Sequence, residues 1–303
     1  MTLPFTPRFI AARDGTRLRT AVFGAKPETR GVCVLLHGQT EFIEKYDEVV
    51  AELLSRGFTV ATFDWRGQGG SARSLADPLP AHVRDFAQYD DDLASFLEQI
   101  VLPLSDAPPL ALAHSMGAHI LLRRLHDAPG AIRAAALTAP MIEVSARGYP
   151  GWLARAVCAA ENAFGGRDRF AWGMASRDPF LVTFETQLVT SDRARFAKAQ
   201  KFLSDHPDLR LAGPTWGWLQ AAYRSMDRVR AAGFPEGIAA PVLVCGAGKD
   251  RICLNESAHE FAKRLQRGTW VDLQDSEHEI LMENDAIRAR FWAAFDAFAA
   301  ANL

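Results

Sequence analysis

The stretch "PLALAHSMGAHILLRRL", from Pro109 to Leu125, decides the fold because it begins as a strand and ends as a helix. Four apolar residues, "LALA", are typical of a buried strand, and the residues after Gly117 place isoleucine and leucine at helical spacing. Ser115 then lies at the turn between the two elements. Its hydroxyl would project from the carboxyl edge of a sheet, above a helix N-terminus whose free N–H groups suit a developing oxyanion.

Two interpretations of Ser115 stand at this point. A serine on a sharp strand-to-helix turn is typical of the nucleophile elbow, whose usual pattern is G-x-S-x-G. Here Ala113 occupies the first glycine position and Gly117 the second, so the pattern is incomplete. A serine at the start of a helix also acts as a simple cap. The stretch alone leaves the nucleophile and the helix cap equally open.

The rest of the chain predicts an α/β fold with a mostly parallel central sheet flanked by helices. Short apolar runs without polar alternation are typical of strands that are buried on both faces of such a sheet. Six runs have this character: "GVCVLLHG", "FTVATFDW", "PLALAH", "AAALTAP", "APVLVCGAG" and "TWVDLQD". Helical patterns such as "YDEVVAELLSRG" and "YDDDLASFLEQI" separate several of them, which indicates a doubly wound arrangement.

The alternation is interrupted between about Pro140 and Pro241, where the sequence predicts helices and loops without a clear strand. We therefore expect an inserted helical cap, or lid, over residues 140–235, and a core formed by residues 1–139 and 236–303. Because the insertion follows the carboxyl end of a strand, the cap would cover the ligand crevice of the sheet.

Composition excludes several classes of function. The chain has 303 residues and a formal net charge of −2, and it carries no basic stripe that would attract nucleic acid. Its longest apolar runs are far shorter than the roughly 20 residues that a membrane span requires. The four cysteines show no CxxC spacing and the first residues form no apolar signal segment. We therefore expect a cytoplasmic protein without disulfides or a zinc site.

A serine nucleophile needs a base, and the base needs an acid that orients it. In this architecture the chain order is serine, acid, histidine. Asp250 in "VLVCGAGKD" and His278 in "WVDLQDSEHEI" each follow a predicted strand in that order, so both are candidates. Asp272 and Asp275 are alternative acids on or beside the last strand. Three further histidines lie on predicted helices and are set aside: His119, His126 and His259.

An oxyanion hole needs two N–H donors. The first would be the N–H of Met116, which follows the serine. The segment "VLLHGQTEF" ends an early strand in His37-Gly38-Gln39, and Gly38 allows the backbone to turn close to Ser115. We assign the second donor to the Gln39 N–H and a structural role in the same turn to His37.

A family resemblance spans nearly the whole chain, cap included. It is carried by "LLHGQTEFIEKY", "FDWRGQGGSAR", "AHSMGAHI", "LTAPMIEV", "GPTWGWLQAAYRS", "GAGKDRIC" and "SEHEILME". In these segments the sequence resembles the α/β-hydrolase superfamily, and within it the serine hydrolases of the bacterial lysophospholipase and monoacylglycerol-lipase-like branch. The "HG", "DWRGQG" and "HSMG" motifs are typical of the superfamily, whereas "TEFIEKY" and "GPTWGWL" point to the branch.

The resemblance implies an α/β-hydrolase fold and a carboxylic ester hydrolase that forms an acyl-enzyme. Carried over position by position, it implies Ser115 as nucleophile, Asp250 as acid and His278 as base. It also implies Gln39 and Met116 as the oxyanion hole. The departure from the usual elbow glycine at position 113 bears on the packing of the turn more than on its chemistry.

The expected substrates are monoacyl lipids, either lysophospholipids or monoacylglycerols, with small esters as an alternative. Four cap residues are candidates for lining an acyl-chain slot above the serine: Trp152, Phe164, Trp218 and Tyr223. The alternative is that these residues only pack the cap onto the core and line no slot. We expect transient contact with the inner face of the membrane and no nucleic-acid partner, and the sequence leaves the oligomeric state open.

Other functions fit the same residues. An acyltransferase, a thioesterase or a C–C hydrolase would keep the triad and change the acyl acceptor or the scissile bond. A hydrolase-fold binding protein with a silent site belongs to a different class. Labelling with a fluorophosphonate probe separates that class from the enzymes.

Motifs that mimic cofactor sites are interpreted as structural. "GQGGSA" resembles a dinucleotide fingerprint, but the prolines that follow exclude an immediate long helix. "GAGKD" lacks the Ser or Thr of a phosphate-binding loop. The run Asp90-Asp91-Asp92 has the carboxylates for a cation, although acidic residues at this place favour a helix N-terminus. We expect no cofactor and no metal.

Overall fold

The computed structural model describes residues 5–25, 29–146 and 148–303. Eight strands form one sheet in the order β1-β2-β4-β3-β5-β6-β7-β8. Their bounds are β1 Arg8–Ala11, β2 Arg17–Phe23, β3 Gly31–Leu36, β4 Phe58–Phe63, β5 Leu110–His114, β6 Ala134–Thr138, β7 Val242–Ala247 and β8 Gly268–Leu273. From β4 to β8 every neighbouring pair is parallel, and β1 and β2 are antiparallel additions at one edge. The predicted mostly parallel sheet is confirmed.

The hairpin of β1 and β2 was not predicted from the sequence. Its strands carry exposed charged residues, and the burial pattern of β1 is exposed at three of four positions. The turn between them passes through Asp14 and Gly15, and Gly15 has a φ of 81°. This Asp-Gly pair is a typical hairpin signal.

Eight α-helices accompany the sheet in the described residues. They are α1 Asp47–Ser55, α2 Ala87–Phe96, α3 Ser115–Asp127, α4 Gly151–Ala163, α5 Arg193–Asp205, α6 Trp216–Arg230, α7 Asn255–Arg264 and α8 Asp285–Asn302. Two apolar clusters cover the two faces of the sheet. Leu93 of α2 and Phe261 of α7 belong to one, and Val49 of α1 and Phe291 of α8 belong to the other. This double burial explains why the central strands are apolar throughout.

The strands β6 and β7 are neighbours in the sheet, yet about a hundred residues separate them in the chain. The helices α4, α5 and α6 lie in this interval, and α4 contacts α6. The last turns of α6 join the core, where Met226 and Val229 are fully buried. The exact division into a core and a cap at 140 and 235 stays a prediction. Along the described ranges, no helix is both long and apolar enough to cross a membrane.

Candidate active site

Ser115 lies where β5 ends and α3 begins, and its backbone is strained. Its φ is 50°, in the left-handed region that residues other than glycine seldom adopt. Such conformations cost free energy and persist where the surrounding structure enforces them, most often at functional sites. Here β5 is buried along its whole length between β3 and β6, so the sheet fixes the turn from both sides. Ser115 itself is 7% exposed.

Gly117 allows the first turn of α3 to pack directly on the end of β3. A Cβ at this position would come within 2.8 Å of the Leu36 carbonyl oxygen and closer still to that of His37. Neither backbone oxygen can move without shifting the strand. Ala113 is fully buried in the same core cluster as Ala118, so its methyl group has a place in the packing.

Ser115, His278 and Asp250 form one hydrogen-bonded chain. Nε2 of His278 lies 3.0 Å from the Ser115 hydroxyl oxygen, and Nδ1 lies 2.6 Å from an Asp250 carboxylate oxygen. The other Asp250 oxygen accepts the N–H groups of Ile252 and Cys253 at 2.7 and 2.9 Å. The structure therefore brings together three residues that are far apart in the sequence, and it holds the acid from two sides.

Electrostatics couple the acid and the histidine. Burial alone would lower the pKa of His278, but the negative charge of Asp250 and its hydrogen bond outweigh burial and raise the pKa above the ordinary histidine value. Burial would raise the pKa of Asp250, but the His278 charge and the hydrogen bonds bring it below its usual value. The neighbouring His114 ring lies 4.8 Å from that of His278, and burial lowers the pKa of His114 to about 3. His114 is therefore neutral at physiological pH.

The alternative acids and histidines lie elsewhere. Asp272 and Asp275 are exposed, and Asp275 pairs with Arg290. His119 is bound through its two ring nitrogens to the Met141 carbonyl and the Ser225 hydroxyl. The other two histidines stack on aromatic rings, namely His126 on Phe234 and His259 on Trp270.

The turn after β3 approaches the serine as the sequence predicted for Gly38. A Cβ on Gly38 would lie 3.2 Å from Cβ of Ser115 and 3.0 Å from the His114 ring. Gln39 follows on the cavity wall, and within the described ranges its N–H group donates to no protein atom. Met116 is the second residue of α3, where helix N–H groups are free of intrahelical partners. The two predicted donors thus flank Ser115.

The cofactor-like motifs have structural partners. Added methyl groups on Gly69 and Gly70 would collide with Asp64 and Arg19, so both glycines serve close packing. Each carboxylate of the acidic run pairs with its own arginine: Asp90 with Arg123, Asp91 with Arg13, and Asp92 with Arg66.

A cavity of about 740 Å³ opens beside Ser115 and is lined by both the sheet edge and the inserted helices. Trp218 and Tyr223 line it, as expected for a slot. Trp152 and Phe164 do not, and their assignment to the slot is wrong, because Trp152 on α4 is 71% exposed and Phe164, directly after α4, is 87% exposed.

The error at α4 has a simple geometric cause. The cavity is lined by Leu153, Ala154 and Val157 of this helix. Successive residues of an α-helix are rotated by about 100° about its axis. A face that begins at Trp152 therefore points in a different direction from one that begins at Leu153. The amphipathic pattern identified the helix but not which of its two apolar sides faces inward.

The chain is similar to known proteins both as a member of a family and in its fold. The profile of a family described as serine aminopeptidase, S33, matches residues 27–285. The chain belongs to this family. It is 34% identical over 286 residues to lysophospholipase L2 of Escherichia coli K12, which covers 91% of this chain and 82% of that protein. It is 28% identical over 132 residues to a monoacylglycerol lipase of Mycolicibacterium smegmatis, or 44% of this chain and 45% of that protein.

Among solved structures, the S33 chain is similar to a soluble variant of monoglyceride lipase from Saccharomyces cerevisiae. The TM-score is 0.76 at 18% identity, covering 100% of this chain and 98% of that chain. This likeness concerns the fold, and it confirms the expected α/β-hydrolase architecture. The protein is a serine hydrolase of the α/β-hydrolase superfamily, and the resemblance seen in the sequence is confirmed.

Sequence reasoning missed a charged cluster beside Ser115 and His278. Lys45 donates to Glu41 at 2.7 Å and to Glu279 at 2.6 Å, and Tyr46 donates to Glu41 at 2.7 Å. Burial raises the pKa of Glu279, whereas Lys45 and nearby charges overcome burial and hold the pKa of Glu41 well below its usual range. The segment "TEFIEKY" signalled the family but gave no role to its charges.

Cys253 was also missed. Its buried thiol is close to Asp250 and Ser115, and burial followed by the Asp250 charge raises its pKa well above the usual value. Asp250, Cys253 and His278 present ligand atoms within 4.8 Å of one another. A carboxylate, a thiolate and an imidazole form a donor set that suits zinc. A metal there would have to replace the hydrogen bond between Asp250 and His278.

Proposed function

We propose that this serine hydrolase cleaves carboxylic esters of monoacyl lipids, lysophospholipids or monoacylglycerols, through an acyl-enzyme on Ser115. The observation that carries the proposal is the hydrogen-bonded chain from Ser115 through His278 to Asp250 at the wall of a largely apolar cavity. Such a chain supplies a base and an orienting acid to an otherwise weak nucleophile.

In the first half of the reaction, Nε2 of His278 takes the proton from the Ser115 hydroxyl as the oxygen attacks the ester carbonyl. The carbonyl electron pair moves to the oxygen, and the N–H groups of Gln39 and Met116 stabilise the oxyanion. When the intermediate collapses, the C–O bond to the alcohol breaks, and His278 gives the alcohol its proton. Asp250 keeps Nδ1 protonated and stabilises the imidazolium.

In the second half, water enters where the alcohol has left. His278 takes a proton from the water as its oxygen attacks the acyl carbon, and a second oxyanion forms in the same position. Collapse returns the proton to Ser115 and releases the fatty acid. No step requires a cofactor.

The cavity supports one acyl chain as the bound group. Its volume of about 740 Å³ falls within the range of roughly 300–1,000 Å³ that is usual for small-molecule sites. Its wall includes Val157, Leu203, Trp218 and Leu219. The curated relatives named above, a lysophospholipase and a monoacylglycerol lipase, have names that point to the same class of substrate.

Contact with a lipid surface is part of the proposal. Seven large apolar side chains are exposed between residues 149 and 181: Tyr149, Trp152, Leu153, Phe164, Trp172, Phe180 and Leu181. Tyr149, Leu153 and Trp172 also line the cavity, so this outer patch is continuous with its wall. Aromatic residues favour the interfacial region of bilayers. The proposed location is the cytoplasm, with transient contact at the inner face of the membrane.

The test compares 4-nitrophenyl esters of increasing chain length with lysophosphatidylcholine, monoacylglycerol and diacylphosphatidylcholine. Each buried CH₂ contributes roughly 0.8 kcal/mol, so four extra methylenes give about 3 kcal/mol, or more than a hundredfold in kcat/KM. Medium or long monoacyl esters should react fastest and diacyl lipids poorly. A preference for acetate esters, or equal turnover of diacyl lipids, would refute the lipid assignment.

Ser115→Ala should lower hydrolysis by ~10⁴–10⁶ and abolish fluorophosphonate labelling, while the thermal unfolding profile stays unchanged. Substantial turnover in the folded variant would disprove the nucleophile. Assays with an acyl thioester, and with an added alcohol as acyl acceptor, separate hydrolysis of esters from thioesterase and acyltransferase activity.

A further inference from the structure

We infer that His37 is a positioning residue, which sets the direction of the Gln39 N–H toward the oxyanion. The inference rests on the proposed function, because it assumes that this N–H is an oxyanion donor. Nδ1 of His37 donates to the Gly38 carbonyl oxygen at 2.8 Å. The ring is 1% exposed and does not line the cavity, so it has no direct access to a substrate.

The hydrogen bond to Gly38 acts through the peptide that joins Gly38 to Gln39. A trans peptide is planar, and its C=O and N–H groups point in opposite directions. Fixing the carbonyl of Gly38 on the His37 side therefore directs the N–H of Gln39 away from His37. Since this N–H donates to no protein atom in the described ranges, it is available to a negative charge beside Ser115.

His37 is itself held in place. Nε2 of its ring lies 3.3 Å from a carboxylate oxygen of Asp64 and makes no hydrogen bond to any described residue, whereas the His37 carbonyl accepts the Trp65 indole N–H at 2.9 Å. Asp64 is fully buried, and its carboxylate accepts hydrogen bonds from Arg19 Nε at 2.6 Å and from the Ile43 N–H at 3.0 Å. Rotation of the ring would break the Nδ1 hydrogen bond and leave the buried Gly38 carbonyl oxygen without that donor, which is costly.

Glu41 holds the opposite side of Gly38. Its carboxylate accepts the Gly38 N–H at 2.5 Å, and Tyr46 and Lys45 fix the carboxylate. Gly38 is thus bound at both its N–H and its C=O. A fixed donor needs no reorganisation when the oxyanion forms, which is how oxyanion holes contribute to rate.

The decisive experiment compares His37→Asn with His37→Gln. The Asn amide nitrogen can take the place of Nδ1 and keep the bond to Gly38, whereas the Gln amide reaches the place of Nε2 and leaves that bond unmade. We expect His37→Asn to stay within a few-fold of the unmodified enzyme. His37→Gln should lose roughly 10²–10³ in kcat with little change in KM, the loss typical of one oxyanion donor. His259→Gln is the matched control, because this half-buried ring stacks on Trp270 and does not line the cavity, and it should leave both rates unchanged.

A second measurement separates positioning from general damage. Each variant hydrolyses 4-nitrophenyl octanoate and its thiono analogue, in which sulfur replaces the carbonyl oxygen. Sulfur is a weak hydrogen-bond acceptor, so the thiono ester draws little help from the hole. The ratio of the two rates is independent of the folded fraction. The rate on the oxygen ester divided by the rate on the thiono ester should fall in His37→Gln and remain high in His37→Asn.

Equal losses on both esters in His37→Gln, or an Asn variant as impaired as the Gln variant, would overturn the inference. Failure of the proposed function has a different result, because Ser115→Ala would then retain turnover. If Ser115→Ala is inactive and His37→Gln keeps the full rate ratio, only the role of His37 is wrong.

Discussion

The sheet edge around Ser115 and the inserted helices above it differ in which side chains are buried. At the edge, charged side chains are buried and each has partners, as Asp64 has in Arg19 and Glu41 has in Lys45. In the insertion, large apolar side chains such as Trp152 and Phe164 are left in solvent. One region is preorganised for charge, and the other presents apolar surface.

This difference separates two tasks. A transition state that develops charge needs fixed dipoles and hydrogen bonds, which the sheet edge provides. A lipid needs apolar surface at the entrance and along the slot, which the insertion provides. We therefore expect substitutions at the edge to slow every ester alike, and substitutions in the insertion to change which esters react.

Among the substitutions around Ser115, the largest effect should come from Asp250→Asn. Without the carboxylate the imidazole loses its preferred tautomer and the imidazolium loses its stabilising charge, so kcat should fall by ~10⁴ on short and long esters alike. Steady-state kinetics with 4-nitrophenyl acetate and octanoate measure this. Asp272→Asn and Asp275→Asn are matched controls and should retain activity. A comparable loss in either control would transfer the role of the acid to that residue.

The elbow itself is the next test. Gly117→Ala would press a methyl group against the carbonyl oxygens at the end of β3, costing about 1–3 kcal/mol of folding free energy. The resulting displacement of Ser115 should lower kcat by ~10². Ala113→Leu should also destroy activity by overpacking, whereas Ala113→Gly should keep it. Denaturant unfolding and kinetics measure both effects, and an active Ala113→Leu enzyme would contradict the elbow geometry.

The pH dependence should be smaller and equally uniform across substrates. As the proposed base, His278 must be neutral to accept the serine proton, and Asp250 raises its pKa above the ordinary value of about 6.5 despite burial. The protonated form is inactive, so kcat/KM should fall about tenfold per pH unit below a midpoint that lies above 6.5. The rate of fluorophosphonate labelling should follow the same curve. A flat profile down to pH 5 would argue against a histidine base.

The sequence predicted the sheet edge better than the insertion. Strands such as β5 are apolar throughout because both faces are covered, so their pattern is unambiguous. Ser115, Asp250 and His278 each follow such a strand, and parallel strands end at one edge, so their meeting could be foreseen. The roles of these three residues stay predictions until the variants are measured.

Two features could not be foreseen for physical reasons. The direction of α4 depends on what packs beneath it, and its amphipathic pattern fits more than one rotation. The contact between Lys45 and Glu279 joins positions that are 234 residues apart, and neither residue belongs to a periodic pattern. Such contacts come from tertiary packing and leave no local trace in the sequence.

The two sides of α4 provide the finest test of the comparison. Val157 lines the cavity, whereas Trp152 and Phe164 face solvent. Val157→Ser places a hydroxyl in the slot, and a lost apolar contact of about one methylene corresponds to roughly 0.8 kcal/mol, or three- to fourfold. We expect this loss for octanoate esters in solution but little for acetate esters.

The double substitution Trp152→Ser with Phe164→Ser should affect lipid in vesicles and leave soluble esters unaffected. These side chains touch no part of the slot, so kcat and KM for soluble 4-nitrophenyl butyrate should not change. With lysophosphatidylcholine presented in anionic vesicles, the apparent KM should rise several-fold, because the exposed rings no longer enter the interface. Vesicle sedimentation of the Ser115→Ala protein, with and without the two substitutions, measures binding apart from turnover. If vesicle sedimentation is unchanged by the two substitutions, Trp152 and Phe164 do not bind the membrane. If turnover of soluble 4-nitrophenyl butyrate falls, these residues support the slot.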